Sequence, residues 1–258
     1  MKQETGDGLT TFSWGYHGWG NHTPELVKAV DAVEASRGWG APIFVDVRAS
    51  RRVRAPGFRE RAFEKTLGPA RYVWMRELGN RGVLERDHAK FELIDPTVAA
   101  DLMTVVVTSG AEKKRVIFFC SCDGPTAECH RTLVRDALLV EARKRAIKLT
   151  VVEWPGYESD PVEVPTVKVD AAMFRKLDQG LGGIRLDGEA PPVWAAALPW
   201  YSLVRVQGPN EARTFLGGPA RCTTRGWVIP VMGWPDAESL LADRQEAREM
   251  YAALPFNA

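Results

Sequence analysis

The chain has 258 residues, of which 45% are apolar and 26% charged, a balance that excludes a disordered protein and leaves room for one large domain or a domain with a sizeable appendage. Lys and Arg total 34 against 33 Asp and Glu, so no global field draws the protein onto nucleic acid or anionic lipid, and any basic patch has to be found by position. The start MKQETGDG lacks the apolar stretch of a signal peptide and no run of eighteen apolar residues occurs, so a cytoplasmic protein outside the membrane is expected.

From about residue 10 to residue 153, short β-rich runs alternate with longer helical ones, which predicts a mainly parallel, Rossmann-like α/β sheet flanked by helices. TTFSW opens the pattern. PELVKAVDAV follows, with Thr23 expected as N-cap, Pro24 at the first helical position, and Leu26, Val27, Val30 and Val33 as an apolar stripe. PIFVDVR reads as a buried strand, FRERAFEKTL as a helix, RYVWM as a short strand, DPTVAADLMTVV as a helix and RVIFFC as a strand. A long helix is expected to start between Pro125 and Glu128 and to run through HRTLVRDALLVEARKRA, with Arg143, Lys144 and Arg145 complementing its C-terminal dipole. KLTVVEW closes the unit. The proline- and acid-rich stretch after Trp154 suggests a boundary near residue 155, dividing a domain over 1–155 from a C-terminal α+β extension over 156–258. In that extension a helix AAMFRKLDQ, strands YSLVRVQ and GWVIPVM, and a final helix PDAESLLADRQEAREMYAAL are expected.

Three of the four cysteines fall in VIFFCSCDGPTAECHRTLV, where a strand meets a helix. Clustering of this kind fits free thiols or ligands better than a framework of disulfides. Ligands of open parallel sheets bind beyond the carboxyl ends of the strands, and a helix N-terminus favours an anion there. Cys120 ends the strand, and Cys129, His130 and Arg131 are expected in the first helical turn. Cys129, or Cys120 facing it, is a candidate thiolate, and Arg131 a bidentate holder of carboxylate or phosphate. Buried small hydrophobes at Cys120 and Cys122, with Arg131 paired to an acid, are the plainer alternative. A zinc site built from Cys120, Cys122, Cys129 and His130 departs from the usual two-plus-two spacing, so no cofactor is expected. No arginine stands five residues after Cys120 or Cys122, which disfavours a phosphatase loop. Cys222, outside the cluster, is expected to be incidental.

Two other segments should reach the same rim. VDVRASRRVRAPGF places Asp46 and Arg48 at the end of a buried strand and Arg51, Arg52 and Arg54 in the loop, a candidate clamp for phosphate or a nucleic-acid backbone, or else a solvated arginine loop. SWGYHGWGNH offers Gly15, Gly18 and Gly20 for close approach, Tyr16 and Trp19 for stacking and His17 for proton transfer. Trp14 and Trp19 as core cover, and His22 as a residue that merely precedes a helix, are the alternatives. Glu77 and Asn80 in WMRELGNRG add an acid and an amide at the same end.

SWGYHG, FVDVR with PGF, YVWMRELGN, and FFCSC followed by CHR, in this order, resemble the domain of unknown function 488 family over roughly residues 10–150. The resemblance implies that Asp46, Arg48, Cys120, Cys129, His130 and Arg131 form a shared site. Asn80 departs from that pattern where a second glycine is common, as does Ser121-Cys122 where a small residue and an acid often follow the first cysteine. The leading expectation is an enzyme-like domain binding an anionic, phosphorylated or nucleotide-like ligand between the arginine loop and the CHR helix. Cys120 or Cys129 would be nucleophile or redox thiol, His130 or His17 the proton shuttle, and Arg48 and Arg131 the anion clamps. A nucleic-acid-binding or regulatory module, with Arg48 to Arg54 on phosphates and Trp14, Tyr16 and Trp19 on bases, is the rival class. A thiol redox sensor built on Cys120, Cys122 and Cys129 is the third.

Overall fold

The expected alternation becomes a parallel sheet in the computed structural model, which describes residues 8–87, 89–122, 129–156, 165–179, 183–200 and 202–233. The chain divides into two units, Met1–Trp154 and Pro155–Ala258. In the first, β1 (Leu9–Gly15), α1 (Thr23–Ser36), β2 (Gly40–Asp46), α2 (Ala62–Leu67), β3 (Tyr72–Trp74), α3 (Arg81–Glu85), α4 (Ala99–Ala111), β4 (Lys114–Cys120), α5 (Arg131–Lys144) and β5 (Leu149–Glu153) follow one another. Among the described residues the strands form a five-stranded sheet in the order β3-β2-β4-β1-β5, and every pairing is parallel. All carboxyl ends therefore lie on one edge.

Strand order decides where on that edge a ligand belongs. The chain leaves β1 and β2 toward β3 but leaves β4 toward β5, so the crossover direction reverses around β4, the position at which open α/β sheets generally bind ligands. Cys120 ends that strand. Side chains alternate across the sheet, so Phe118 and Phe119 serve different cores. Phe118 joins Val45, Val116, Leu102, Met103 and Leu138 under α4 and α5. Phe119 instead meets Trp14, Tyr16, Phe44, Phe58 and Phe63, an aromatic cluster on the opposite face.

Two glycines fix the loops at the rim. A Cβ on Gly79 would stand 2.3 Å from the backbone nitrogen of Ala49, so only glycine lets the turn after β3 close on the turn after β2. Gly20, with φ +56°, turns the chain so that its carbonyl accepts from the Gly57 amide at 3.1 Å.

Two helix starts differ from expectation. Thr23 is the first residue of α1 rather than its cap; His22 holds the cap position, and buried Thr23 turns its hydroxyl toward Thr66 at 3.4 Å. Helix α5 begins at Arg131, so Cys129 and His130 precede its first turn; the Cys129 carbonyl accepts from both the amide and the hydroxyl of Thr132 and closes the turn there. The expected start between Pro125 and Glu128 lies outside the described residues.

The second unit contains β6 (Val167–Lys168), α6 (Ala171–Asp178), β7 (Gly183–Arg185), α7 (Val193–Ala196), β8 (Ser202–Gln207), β9 (Ala212–Gly217), β10 (Arg221–Thr223) and β11 (Gly226–Gly233). Its sheet runs β10-β11-β9-β8-β6 with β7 on β11, mostly antiparallel, which makes the C-terminal part an α+β extension. The final helix expected over PDAESLLADRQEAREMYAAL lies outside the described residues. No described helix is long and apolar enough to cross a membrane.

Candidate functional site

The chemistry-bearing residues of the first unit gather at the carboxyl edge of the sheet in two separate networks, one on each face. Cys120 and Glu153 at their strand ends, and Ser13 two residues before the end of β1, share the alternation of Val116, Val151 and Thr11, and so lie on the α5 side. The second network hangs from Asp46, which has the parity of Phe44 and faces the aromatic side.

On the α5 side the sulfurs of Cys120, Cys122 and Cys129 all lie within 4.8 Å of one another. The Cys120 and Cys129 sulfurs are 3.5 Å apart. The Cys122 amide donates to the Cys120 sulfur at 3.3 Å, and Arg131 donates from Nε to the Cys129 sulfur at 3.2 Å. Arg131 is itself held from behind, its Nη1 donating to Glu153 Oε1 at 2.5 Å while the Ser13 hydroxyl donates to the other carboxylate oxygen. Both members of this ion pair are only 2% exposed. A buried pair of this kind is costly to desolvate and persists only with good geometry and satisfied donors.

The electrostatics separate the three thiols. Cys129 is held far below its ordinary value: Cys120 and Cys122 donate hydrogen bonds to its sulfur, and the Arg131 guanidinium adds its charge, against the opposing effect of burial. Burial pushes Cys120 well above the ordinary thiol value. Cys122 is drawn down by its hydrogen bond with Cys120 but raised overall by Cys129 and burial. Burial alone would lower Arg131, yet the attraction of Glu153 and the sulfurs raises it and keeps it a cation. Burial raises Glu153 against the pull of Arg131 and Ser13. These influences favour the charged form at Cys129 over Cys120 and Cys122.

His130 places Nε2 3.0 Å from the Val47 carbonyl, and burial holds its pKa below the ordinary imidazole value against the charge of Cys129. Of the four ligands weighed for zinc, three come together in the structure, while His130 is engaged by the backbone.

On the aromatic face Asp46 and Arg48 satisfy each other. Arg48 donates from Nε to Asp46 Oδ1 at 2.7 Å and from Nη2 to Oδ2 at 2.5 Å, and also reaches the Tyr16 hydroxyl at 3.2 Å and the Phe58 carbonyl at 3.0 Å. Tyr72 donates its hydroxyl to Asp46 Oδ2 at 2.5 Å. Burial, followed by the charge of Asp46, raises the Tyr72 phenol; burial also raises Tyr16, and Asp46 outweighs burial to raise Arg48. Tyr16 stacks on Phe58 at 3.9 Å between ring centroids, and Trp19 is 4% exposed, so both rings belong to the core rather than to an open stacking surface.

Arg51 leans over the Trp74 ring at 4.1 Å and pairs with Glu64 at 3.0 Å; Arg61 pairs with the same carboxylate. With Tyr72 these residues line an open cavity of about 300 Å³. Arg52, Arg54 and Arg59 are exposed in the same loop. His17 and Glu77 are exposed at the rim, and Asn80 caps α3 by accepting from the Gly82 amide at 3.0 Å. Glu153 and Ser13 were not singled out in the sequence. The available signal was parity, since Glu153 shares its face with buried Val151.

Residues 28–138 match the family model described as Domain of unknown function DUF488. That likeness covers 111 of the chain's 258 residues. The matched residues contain all three clustered cysteines, Arg131 and the Asp46–Arg48 pair, whereas Ser13, Tyr16 and Glu153 fall outside the DUF488 match. No curated protein and no solved structure matches the chain.

Proposed function

We propose that the first unit binds a small thiophilic ligand at its cysteine cluster, with Cys129 as the engaging thiolate and Arg131 and Glu153 as the residues that hold it. The observation that carries this reading is the Arg131 Nε donor 3.2 Å from the Cys129 sulfur, on a guanidinium already fixed by a buried carboxylate. A buried arginine that serves a sulfur and a glutamate has its charge satisfied within the protein. Arg131, and Arg48 with Asp46, then act as positioning groups rather than as clamps for a ligand anion. Cys122 is the half-buried member of the three and offers the way in.

Phenylarsine oxide, a small trivalent arsenical that bridges adjacent thiolates, tests the reading. One equivalent should bind the reduced native protein, the Cys222→Ser variant should behave alike, and Cys129→Ser should lose binding. Uptake only after unfolding would contradict it.

A second reading, an anionic ligand, is favoured by a different observation: the cavity bordered by Arg51, Arg61 and Trp74, with exposed Arg52, Arg54 and Arg59 around it. Inorganic phosphate and nucleoside monophosphates should quench or shift the Trp74 emission, with Trp74→Phe as control. Steep weakening of single-stranded nucleic-acid binding with salt would move that reading to the nucleic-acid class.

A further inference from the structure

We propose that Cys120, Cys122 and Cys129 together coordinate one soft metal ion of the zinc class, with three sulfur ligands and a fourth position left to water or an exogenous donor. The proposal rests on the reading of the cluster as a thiophilic site and names its ligand. Tetrahedral zinc thiolates have metal–sulfur bonds of about 2.3 Å, which sets sulfur–sulfur separations near about 3.8 Å. The three sulfurs lie within 4.8 Å of one another, Cys120 and Cys129 at 3.5 Å, so closing around an ion needs shifts of about 1 Å or less.

Three features distinguish this cluster from cysteines packed as small hydrophobes. The sulfurs come from two segments, the end of β4 and the turn before α5, and converge at the sheet edge where the crossover direction reverses. Each of the two buried sulfurs receives an N–H donor, from the Cys122 amide and from Arg131 Nε, and donors aimed at sulfur suit metal-bound thiolates, as outer-shell partners of metal ligands generally do. A divalent ion bound by three thiolates carries excess negative charge, and the Arg131 guanidinium lies against one of those sulfurs. An all-sulfur set selects soft ions over magnesium or calcium, and a three-ligand set is the form that keeps a position open. On binding, each protonated thiol gives its proton to solvent as its sulfur–metal bond forms.

The test uses the full chain, reduced with a phosphine and stripped with a chelator, then titrated with Co²⁺ and, in competition, Zn²⁺. The proposal expects one Co²⁺ per chain with a sulfur-to-cobalt charge-transfer band, displaced by Zn²⁺. Cys120→Ser, Cys122→Ser and Cys129→Ser should each weaken binding by about a hundredfold or more, given that even outer-shell changes cost about 10- to 100-fold. Cys222→Ser should change nothing. Cys122 is half-buried, so its variant is the one least able to disturb folding. Absence of the band in the wild-type protein, or a band indifferent to Cys122→Ser, overturns the proposal. Parallel addition of phenylarsine oxide separates the two claims. Arsenical uptake without cobalt binding removes the metal and leaves the thiophilic reading, while failure of both removes both.

Discussion

Glu153→Gln is the perturbation that probes the site most deeply. The amide is nearly isosteric and retains an oxygen for Arg131, but it leaves a guanidinium that is 2% exposed without its carboxylate. Breaking a buried ion pair by removing one partner costs about 3–5 kcal/mol, because the remaining charge stays buried. If Cys129 is a thiolate, its sulfur 3.2 Å from Arg131 still supplies an anion, and the loss should fall at the lower end, about 3 kcal/mol. Cys129→Ser removes that second anion, so the double variant should lose more than the sum of the singles, with a coupling of about 1–3 kcal/mol. Urea unfolding of reduced, chelated protein followed by circular dichroism measures all four corners of the cycle. Additivity within about 0.5 kcal/mol would mean a neutral thiol at Cys129, and a Glu153→Gln loss below about 1 kcal/mol would refute the buried pair itself.

Tyr72→Phe removes a hydrogen bond to a buried carboxylate and should cost about 1.5–3 kcal/mol in the same unfolding assay. The Tyr72 phenol is raised above the ordinary tyrosine value, so the folded protein keeps a proton that the unfolded chain releases. Its contribution is complete below about pH 10 and is lost as pH rises through the folded value, so alkaline stability should fall less steeply in Tyr72→Phe than in the wild type. Gly79→Ala should destabilise by about 1–3 kcal/mol through steric overlap with Ala49 alone, since φ at Gly79 is −77° and carries no strain for alanine. Arg61→Ala removes a surface bridge whose arginine is 66% exposed; solvent screens such a pair, so the melting temperature should barely move.

The sheet was legible because its strands are short apolar runs with clear helical stretches between them; FVDVR and RVIFFC announce buried parallel strands by composition alone. Cys120 at a strand end and Arg131 in the first turn of a helix followed from the same pattern, although the helix begins at Arg131 itself. Pairing was harder to read. Arg48 seemed available for a ligand because its partner, Asp46, sits two residues away, and only parity places both on one face, where they satisfy each other. Glu153 looked like an ordinary strand end because its partner Arg131 is distant in sequence and meets it only when β5 docks beside β1. Tyr16 and Trp19, interleaved with glycines, suggested a stacking loop; the Gly20–Gly57 contact folds that loop inward and buries them. The division of the rim into two networks depends on strand order, which pattern alone does not specify.

The central claim is that Cys129 is a thiolate in the folded protein near neutral pH. Thiolates absorb near the far-ultraviolet edge where thiols do not, and the measurement needs no reagent to reach a sulfur that is 1% exposed. A difference spectrum between wild type and Cys129→Ser, taken at neutral pH on reduced and chelated protein, reads the charge directly. One thiolate's absorbance, lost in Cys129→Ser and retained in Cys222→Ser, is the predicted result. Superimposable spectra would contradict the account and return the three cysteines to packing.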